Sequence, residues 1–197
     1  MKLKEYLYES VTSNWPCGNI WLYSDPHFGD PDMPILRKNH ISDEEQIKRI
    51  NSKVGKNDTI IFLGDIGDTE CIKRIRGYKV LVMGNHDKGK TNYKGEGLFN
   101  EVYPGFLTIS KNIILSHEPI ANELPYALNI YGHDHGQLYK VINNNGVNLC
   151  AELIDYTPVS LKSIVESGIL KNVLDIHRQA IDRQKERVLS QESVKEG

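Results

Sequence analysis

Apolar residues recur along this chain with two different periods. Leu3, Leu7 and Val11 return at helical spacing with Tyr6 beside them, which predicts a short amphipathic helix ended by Trp15-Pro16-Cys17-Gly18. Ile20-Trp21-Leu22-Tyr23 is an unbroken apolar run and predicts a buried strand. A polar loop rich in Pro and Asp follows, from Asp25 to His40. Ser42 with Glu45 three residues later is a capping box, and Ile47, Ile50 and Val54 mark the buried stripe of the helix it starts. Asn57-Asp58 reads as a turn, Thr59 to Leu63 as a second strand, Thr69 to Arg76 as a short helix and Lys79 to Met83 as a third strand.

This alternation predicts an α/β domain with parallel strands in its first half. The second half is patterned differently. Short apolar runs at Phe106–Ile109, Asn112–Ser116, Ala127–Tyr131, Leu138–Ile142 and Val147–Ala151 predict strands, several of them antiparallel. Two sheets packed face to face with helices outside are the expected assembly. Residues 87–97 are rich in Gly and Lys and lack periodicity, as in an exposed loop bordering a site. Val173, His177, Ile181 and Val188 share one helical face, so 160–190 is expected to be largely helical and 191–197 frayed. Repeats, low-complexity tracts and linkers are absent from the sequence, and one domain over 1–197 is expected, with 1–18 as its N-terminal helix and turn.

Polar residues of the metal-binding kind follow the predicted strands five times. Asp25-Pro26-His27 follows the first, Gly64-Asp65 the second, and Gly84-Asn85-His86-Asp87 the third. His117 follows the run ending at Ser116, and Gly132-His133-Asp134-His135 follows Ala127–Tyr131. Ligands of layered α/β domains bind beyond the carboxyl ends of strands, so these groups can converge on one point. Convergence would assemble Asp25, His27, Asp65, Asn85, His117, His133 and His135. Such a nitrogen and oxygen set suits manganese, iron, zinc or nickel better than magnesium or calcium. One tetrahedral ion takes four ligands; seven suit two ions that share a bridging carboxylate. Glycines at 64, 84 and 132 precede the ligands, where tight turns and close backbone approach are useful.

Composition narrows the partners. The 197 residues carry 24 Lys and Arg against 26 Asp and Glu, and this balance speaks against a partner held mainly through a phosphate backbone. It leaves room for a small phosphorylated substrate. The cysteines, Cys17, Cys71 and Cys150, are widely spaced, which fits reduced thiols with structural roles. Charges interrupt the first residues at once, and no apolar run approaches the roughly 18 residues of a membrane span. A cytoplasmic protein without a membrane partner is the expectation.

The motifs Asp25-Pro26-His27, Gly64-Asp65-Ile66-Gly67-Asp68, Gly84-Asn85-His86-Asp87, Ser116-His117 and Gly132-His133-Asp134-His135, in that order, resemble the calcineurin-like metallophosphoesterase superfamily. The stretches Asn148 to Glu152 and Tyr156 to Leu161 resemble its small bacterial and phage members. The resemblance implies a four-layer α/β/β/α sandwich of two packed mixed sheets. It implies that Asp25, His27 and His135 hold one metal, that Asn85, His117 and His133 hold a second, and that Asp65 bridges them. His86 would face the substrate and protonate or stabilise the leaving oxygen, with Asp87 orienting its imidazole. Arg37, Lys88 and Lys90 lie in loops able to reach phosphate.

The implied activity is hydrolysis of a phosphomonoester or small phosphodiester, nucleotides among them, by a hydroxide held on two divalent ions, manganese foremost. A nuclease and a non-catalytic metal-bound scaffold are the alternatives. The chain has little room for the extra elements that nucleases of this kind carry, and it lacks a basic stripe with interleaved aromatics. A scaffold would be expected to have lost ligands, and here none is missing.

Overall fold

The computed structural model of the protein describes residues 6–195 except 88, 90, 91, 94 and 137; for 176, 177 and 188–195 it describes the backbone alone. Two sheets form around the apolar runs. The first contains β1 (Ile20–Tyr23), β2 (Thr59–Phe62), β3 (Tyr78–Val82), β4 (Glu101–Tyr103) and β9 (Val159–Ser160), in the order β4-β3-β2-β1-β9. Its first four strands are parallel neighbours, and β9 closes one edge antiparallel to β1. The second contains β5 (Leu107–Ser110), β6 (Ile113–Leu115), β7 (Leu128–Tyr131) and β8 (Gly146–Asn148), in chain order. Only β5 and β6 are antiparallel there; β6, β7 and β8 run parallel, not with the several antiparallel pairs that the short runs predict.

Alternation along the strands assigns the faces. Leu22, Ile61, Val80 and Val82 of the first sheet meet Ile109, Ile113, Leu115, Leu128 and Ile130 of the second in one buried core. Tyr23, Ile60, Phe62 and Leu81 point the other way, against Ile47 and Ile50 of α3 (Asp43–Lys53) and Ile72 of α4 (Thr69–Lys73). With both faces covered, β2 is buried throughout, which is why Ile60, Ile61 and Phe62 run apolar without a break. Ser42 caps α3 as predicted, accepting from the Glu45 N–H. The Glu45 carboxylate pairs with Lys48 and Arg49 along the helix.

The expected four-layer α/β/β/α sandwich requires correction. Two mixed sheets are present, but β1 to β4 in one and β5 to β8 in the other step sideways in chain order with mostly parallel neighbours, a solenoid-like stacking. Among the described residues no helix packs extensively on the second sheet. The reason lies in its outer face, which carries Thr108 and the buried Asn129, a poor seat for an amphipathic helix. The segment 117–127 lies there instead. Asn129 accepts from the Ile120 N–H at 2.8 Å, and the buried Asn145 amide donates to the Ala121 and Ala127 carbonyls at 3.0 and 2.8 Å.

Helices at the chain ends contribute less than their patterns suggest. α1 covers only Glu9–Thr12 and buries no residue, although Leu7 just before it is buried; Leu3, at the start of the predicted helix, lies outside the described residues. A single turn, α2 (Met33–Leu36), forms in the polar loop. α5 (Leu161–Glu166) packs Leu161, Ile164 and Val165 into the intersheet core. α6 (Ile176–Lys195) is helical as expected, but residues 180–187 are exposed, so it forms no layer. The side chains of His177 and Val188 and the end of the predicted frayed segment lie outside the described residues. No helix of the described residues is long and apolar enough to cross a membrane.

Asp58 fixes the register of the first sheet at the end opposite the strand-end motifs. Its buried carboxylate accepts from the Asn19 N–H at 2.7 Å, the Gly55 N–H at 2.9 Å and the Trp21 indole at 3.1 Å. Ile20 is thereby set against Thr59, and Tyr23 against Phe62 three residues on. Burial alone would raise the Asp58 pKa; the donors from Gly55, Asn19 and Trp21 outweigh it and lower it. A lowered folded-state pKa means stability that is present above the unfolded carboxylate value, about 3.9, and lost as pH falls through the folded value. Asp58→Ala should therefore cost about 2–3 kcal/mol near pH 7, the scale of hydrogen bonds to a charged group. Urea unfolding of both proteins from pH 7 to pH 3 should show the gap narrowing in acid; a gap that is constant or widens in acid would refute this assignment.

Candidate metal centre

The three parallel strands end together, so the loops after β1, β2 and β3 leave the sheet side by side. β6 and β7 deliver two more loops from the facing sheet. Four residues of these loops adopt left-handed backbone, Asp25 (φ 54), His27 (φ 46), Asp65 (φ 54) and His133 (φ 66). Such conformers cost on the order of 1–3 kcal/mol each in non-glycine residues and cluster at functional sites. They are held by backbone bonds between loops, from Asp25 N–H to Gly64 and from His27 N–H to Asp65, both 3.1 Å. Glycine is required where the loops touch. A Cβ at Gly64 (φ +92) would lie 2.5 Å from His117 Nδ1, and one at Gly132 would lie 2.1 Å from Asp25 Oδ2.

Asp25 is fully buried and divides its carboxylate between two tasks. Oδ2 accepts from Ser24 Oγ at 2.5 Å, the His133 N–H at 2.9 Å and Cys150 Sγ at 3.3 Å. Oδ1 is buried without any hydrogen bond. It faces His135 Nε2 at 3.6 Å and His27 Nε2 at 4.0 Å, and the latter nitrogen is likewise unpartnered. Asp65 repeats the division. Its Oδ1 accepts from the His86 N–H at 2.9 Å, while Oδ2 lies 3.6 Å from His27 Nε2 and 3.4 Å from His117 Nε2.

The histidine tautomers sharpen the picture. His117 Nδ1 sits 2.8 Å from the Leu63 carbonyl, so it carries a proton and, in a neutral ring, leaves a lone pair on Nε2. That nitrogen lies 2.8 Å from Asn85 Oδ1 and 3.0 Å from His133 Nδ1. Lone pairs therefore converge on lone pairs around Asp65 Oδ2, an arrangement that a shared cation resolves. Groups of candidate ligands lying within 4.8 Å of one another are Asp25-His27-Asp65, Asp65-His117-His133 and Asp25-His135-Cys150. The clusters meet at the two carboxylates and give the site the capacity for a dinuclear divalent-metal centre. The orphaned Asp25 Oδ1 and His27 Nε2 are where a metal ion fits the residues present.

Burial pushes the His27 pKa down, against the Asp25 charge, and so favours the neutral, ligand-competent ring. His135 behaves differently. Burial lowers its pKa, but its hydrogen bond to Glu152 and the Asp25 charge prevail and raise it. Glu152 shows the reciprocal shift, burial raising its pKa and the His135 and Arg37 contacts lowering it further. Burial drives the Cys150 thiol pKa far upward, and the thiol donates to Asp25 Oδ2.

All seven residues proposed from the sequence as ligands are gathered at this centre. His86 stands at its mouth, 58% exposed, with Nε2 4.0 Å from Asp65 Oδ2 and its ring 5.5 Å from that of His27. Asp87 is placed differently from expectation. Its buried carboxylate accepts from the N–H groups of Asp65, Ile66 and Gly84 and from the Tyr93 hydroxyl, at 2.8–3.0 Å, and no hydrogen bond joins it to the His86 ring. It ties the β2 loop to the β3 loop.

Arg37 is also displaced from its expected role. It is buried, donates to the Asp25 carbonyl at 2.8 Å and pairs with Glu152 at 3.3 Å, so it serves the protein's own groups. Lys88 and Lys90, the other candidate phosphate contacts, lie outside the described residues. Asp134 points to its own loop, accepting from the Leu138 and Tyr139 N–H groups at 2.8 and 2.6 Å, and Asp68 caps α4. Glu152 is the residue that motif reading overlooked; its Oε1 lies 2.6 Å from His135 Nδ1. The signal was its place in the Asn148 to Glu152 stretch, which carries no strand-end pattern.

Comparison with known proteins bears on the same residues. The profile described as "Calcineurin-like phosphoesterase" matches residues 18–193. An uncharacterized protein of Methanocaldococcus jannaschii is 31% identical over 170 residues, covering 75% of this chain and 89% of its own. The crystal structure of a protein of unknown function from Aquifex aeolicus superposes with a TM-score of 0.64 at 23% identity, over 75% of this chain and 98% of that one, which shows a shared fold. The chain belongs to the calcineurin-like phosphoesterase family.

Proposed function

We propose that this protein is a phosphoesterase dependent on two divalent metal ions, hydrolysing a phosphomonoester or small phosphodiester. The observation that carries the reading is Asp65 Oδ2, which lies within 3.6 Å of both His27 Nε2 and His117 Nε2 and so belongs to two ligand clusters at once. Asp25, His27 and His135 would hold one ion, Asn85, His117 and His133 the other, and Asp65 would serve both. Ions bound there supply Lewis acidity toward a phosphoryl oxygen and a water acidified toward neutral pKa. Manganese is the proposed metal, with iron, zinc and nickel compatible with the same donors.

The chain's own residues supply the rest. His86 projects from the loop after β3 into the cleft that borders the centre, where its imidazole can give a proton to the departing oxygen. Its backbone N–H on Asp65 Oδ1 fixes where the loop stands relative to the ligands. Glu152 holds the Nδ1 proton of His135 and so turns Nε2 toward Asp25. Arg37 neutralises Glu152 and grips the Asp25 carbonyl, which keeps the first ligand loop in its left-handed conformation.

Manganese-loaded protein should contain two ions per chain by elemental analysis, and chelation should abolish ester hydrolysis until metal is restored. Asp65→Asn should lower the content of both ions. Full activity with a single tightly bound ion would refute the dinuclear assignment.

His86→Ala should keep its metal and lose roughly 10²–10⁴-fold in turnover on an alkyl phosphate ester, the usual range for a general acid. The loss should shrink on a nitrophenyl ester, whose leaving group needs no proton. An equal loss on both esters argues for substrate positioning instead, and loss of metal makes His86 a ligand.

Glu152→Ala should weaken the ion held by Asp25, His27 and His135 about 10–100-fold, the scale of losing a hydrogen-bonded support behind a ligand. Calorimetric titration of the metal-free protein measures this; an unchanged affinity removes Glu152 from the centre.

A further inference from the structure

A cleft of about 470 Å³ opens over the proposed metal centre. Its floor is His27, Asp65, His86, His133 and His135, and its outer wall is α2 with the residues around it. The volume is far more than a phosphoryl group needs, and lies in the range of sites for small organic ligands. The wall therefore meets the organic part of the substrate.

That wall is largely apolar and acidic. Met33 and Leu36 line it, and Leu36 is 69% exposed although apolar. The charged side chains beside them are Asp30 and Asp32. Among the described residues Arg37 is the one Lys or Arg of the lining, and it is buried and engaged by Glu152 and the Asp25 carbonyl. The wall is also held in place. Arg37 fixes its C-terminal end to the centre, and the Asn39 amide donates to the Glu152 carbonyl at 2.9 Å. Leu36 thus stands on a tethered turn that follows the Asp25–His27 loop in the chain.

We propose that this cleft selects a phosphoester whose organic group is apolar and bears no further negative charge, seated against Met33 and Leu36. The inference rests on the phosphoesterase reading and narrows it. Apolar area leaves water against the two side chains, at roughly 25 cal/mol per Å². A nucleoside polyphosphate or an oligonucleotide would bring further negative charge against Asp30 and Asp32.

The experiment uses manganese-loaded full-length protein and two non-hydrolysable probes, hexylphosphonate and methylphosphonate, with binding read by calorimetry. The wild type should bind hexylphosphonate at least tenfold more tightly. Leu36→Asp should collapse that preference to within about twofold. The matching esters, hexyl phosphate and methyl phosphate, should show the same preference in kcat/KM, and ATP should be a poorer substrate than hexyl phosphate. Equal binding of the two phosphonates, a preference that survives Leu36→Asp, or higher kcat/KM for ATP would overturn the proposal. Hexyl-selective binding without hydrolysis of any ester would leave the cleft assignment standing and defeat the phosphoesterase reading instead. Hydrolysis without hexyl preference would do the reverse.

Discussion

Two buried carboxylates each turn one oxygen toward imidazole nitrogens 3.4–4.0 Å away, and most of the chain is arranged to sustain that. Buried charge is costly unless it is paired or coordinates a metal. Asp25 and Asp65 meet part of the cost with one oxygen each, saturated by backbone or short side-chain donors. The other oxygen of each is left for the centre. Removing those donors would turn the free oxygens inward, so the geometry of the site depends on peptide groups at least as much as on the imidazoles.

Positioning those peptide groups is the work of the sheet. The register set by Asp58 at one end of β1 and β2 carries through four residue pairs to Tyr23 and Phe62, just before Asp25 and Asp65. At the other end Asp87 gathers three N–H groups from two loops. A parallel sheet suits this because its strands all finish on one side, so the loops from separate strands emerge together. The second sheet needs only β6 and β7 to point the same way, and both are parallel to each other.

Much of this was legible in the sequence, and the failures are physical. Buried strands carry unbroken apolar runs, so β1, β2 from Ile60 and β3 from Val80 announce themselves, and metal-type residues shortly after them mark the site. β4 was missed because it is short and half-buried, and Glu101 within it accepts from the distant Trp15 and Tyr78 as well as from Tyr103 of its own strand. The predicted strand Leu138–Ile142 fails because its N–H groups are taken locally. Leu138 and Tyr139 donate to Asp134, and Ile142 to Asn122, leaving Leu138 and Ile142 exposed. Helices were expected outside both sheets; among the described residues none packs extensively on the second, and the C-terminal helix α6 is exposed over 180–187. Arg37 illustrates a further limit: a loop arginine near a phosphate site reads as a substrate contact, and only three-dimensional placement reveals that Glu152 has claimed it.

Arg37 also links chemistry to selectivity. One end of its guanidinium grips the carbonyl of Asp25, and its Nε faces Glu152, the partner of His135. The same residue ends α2, whose Met33 and Leu36 wall the cleft. A change in the wall that pulled on Arg37 would therefore be felt at Asp25 and His135 together. Substitutions that enlarge or reshape the cleft without disturbing the centre are then restricted to side chains that leave the α2 backbone where it is, and Leu36, exposed and one residue before Arg37, meets that condition while Met33, buried beneath it, does not.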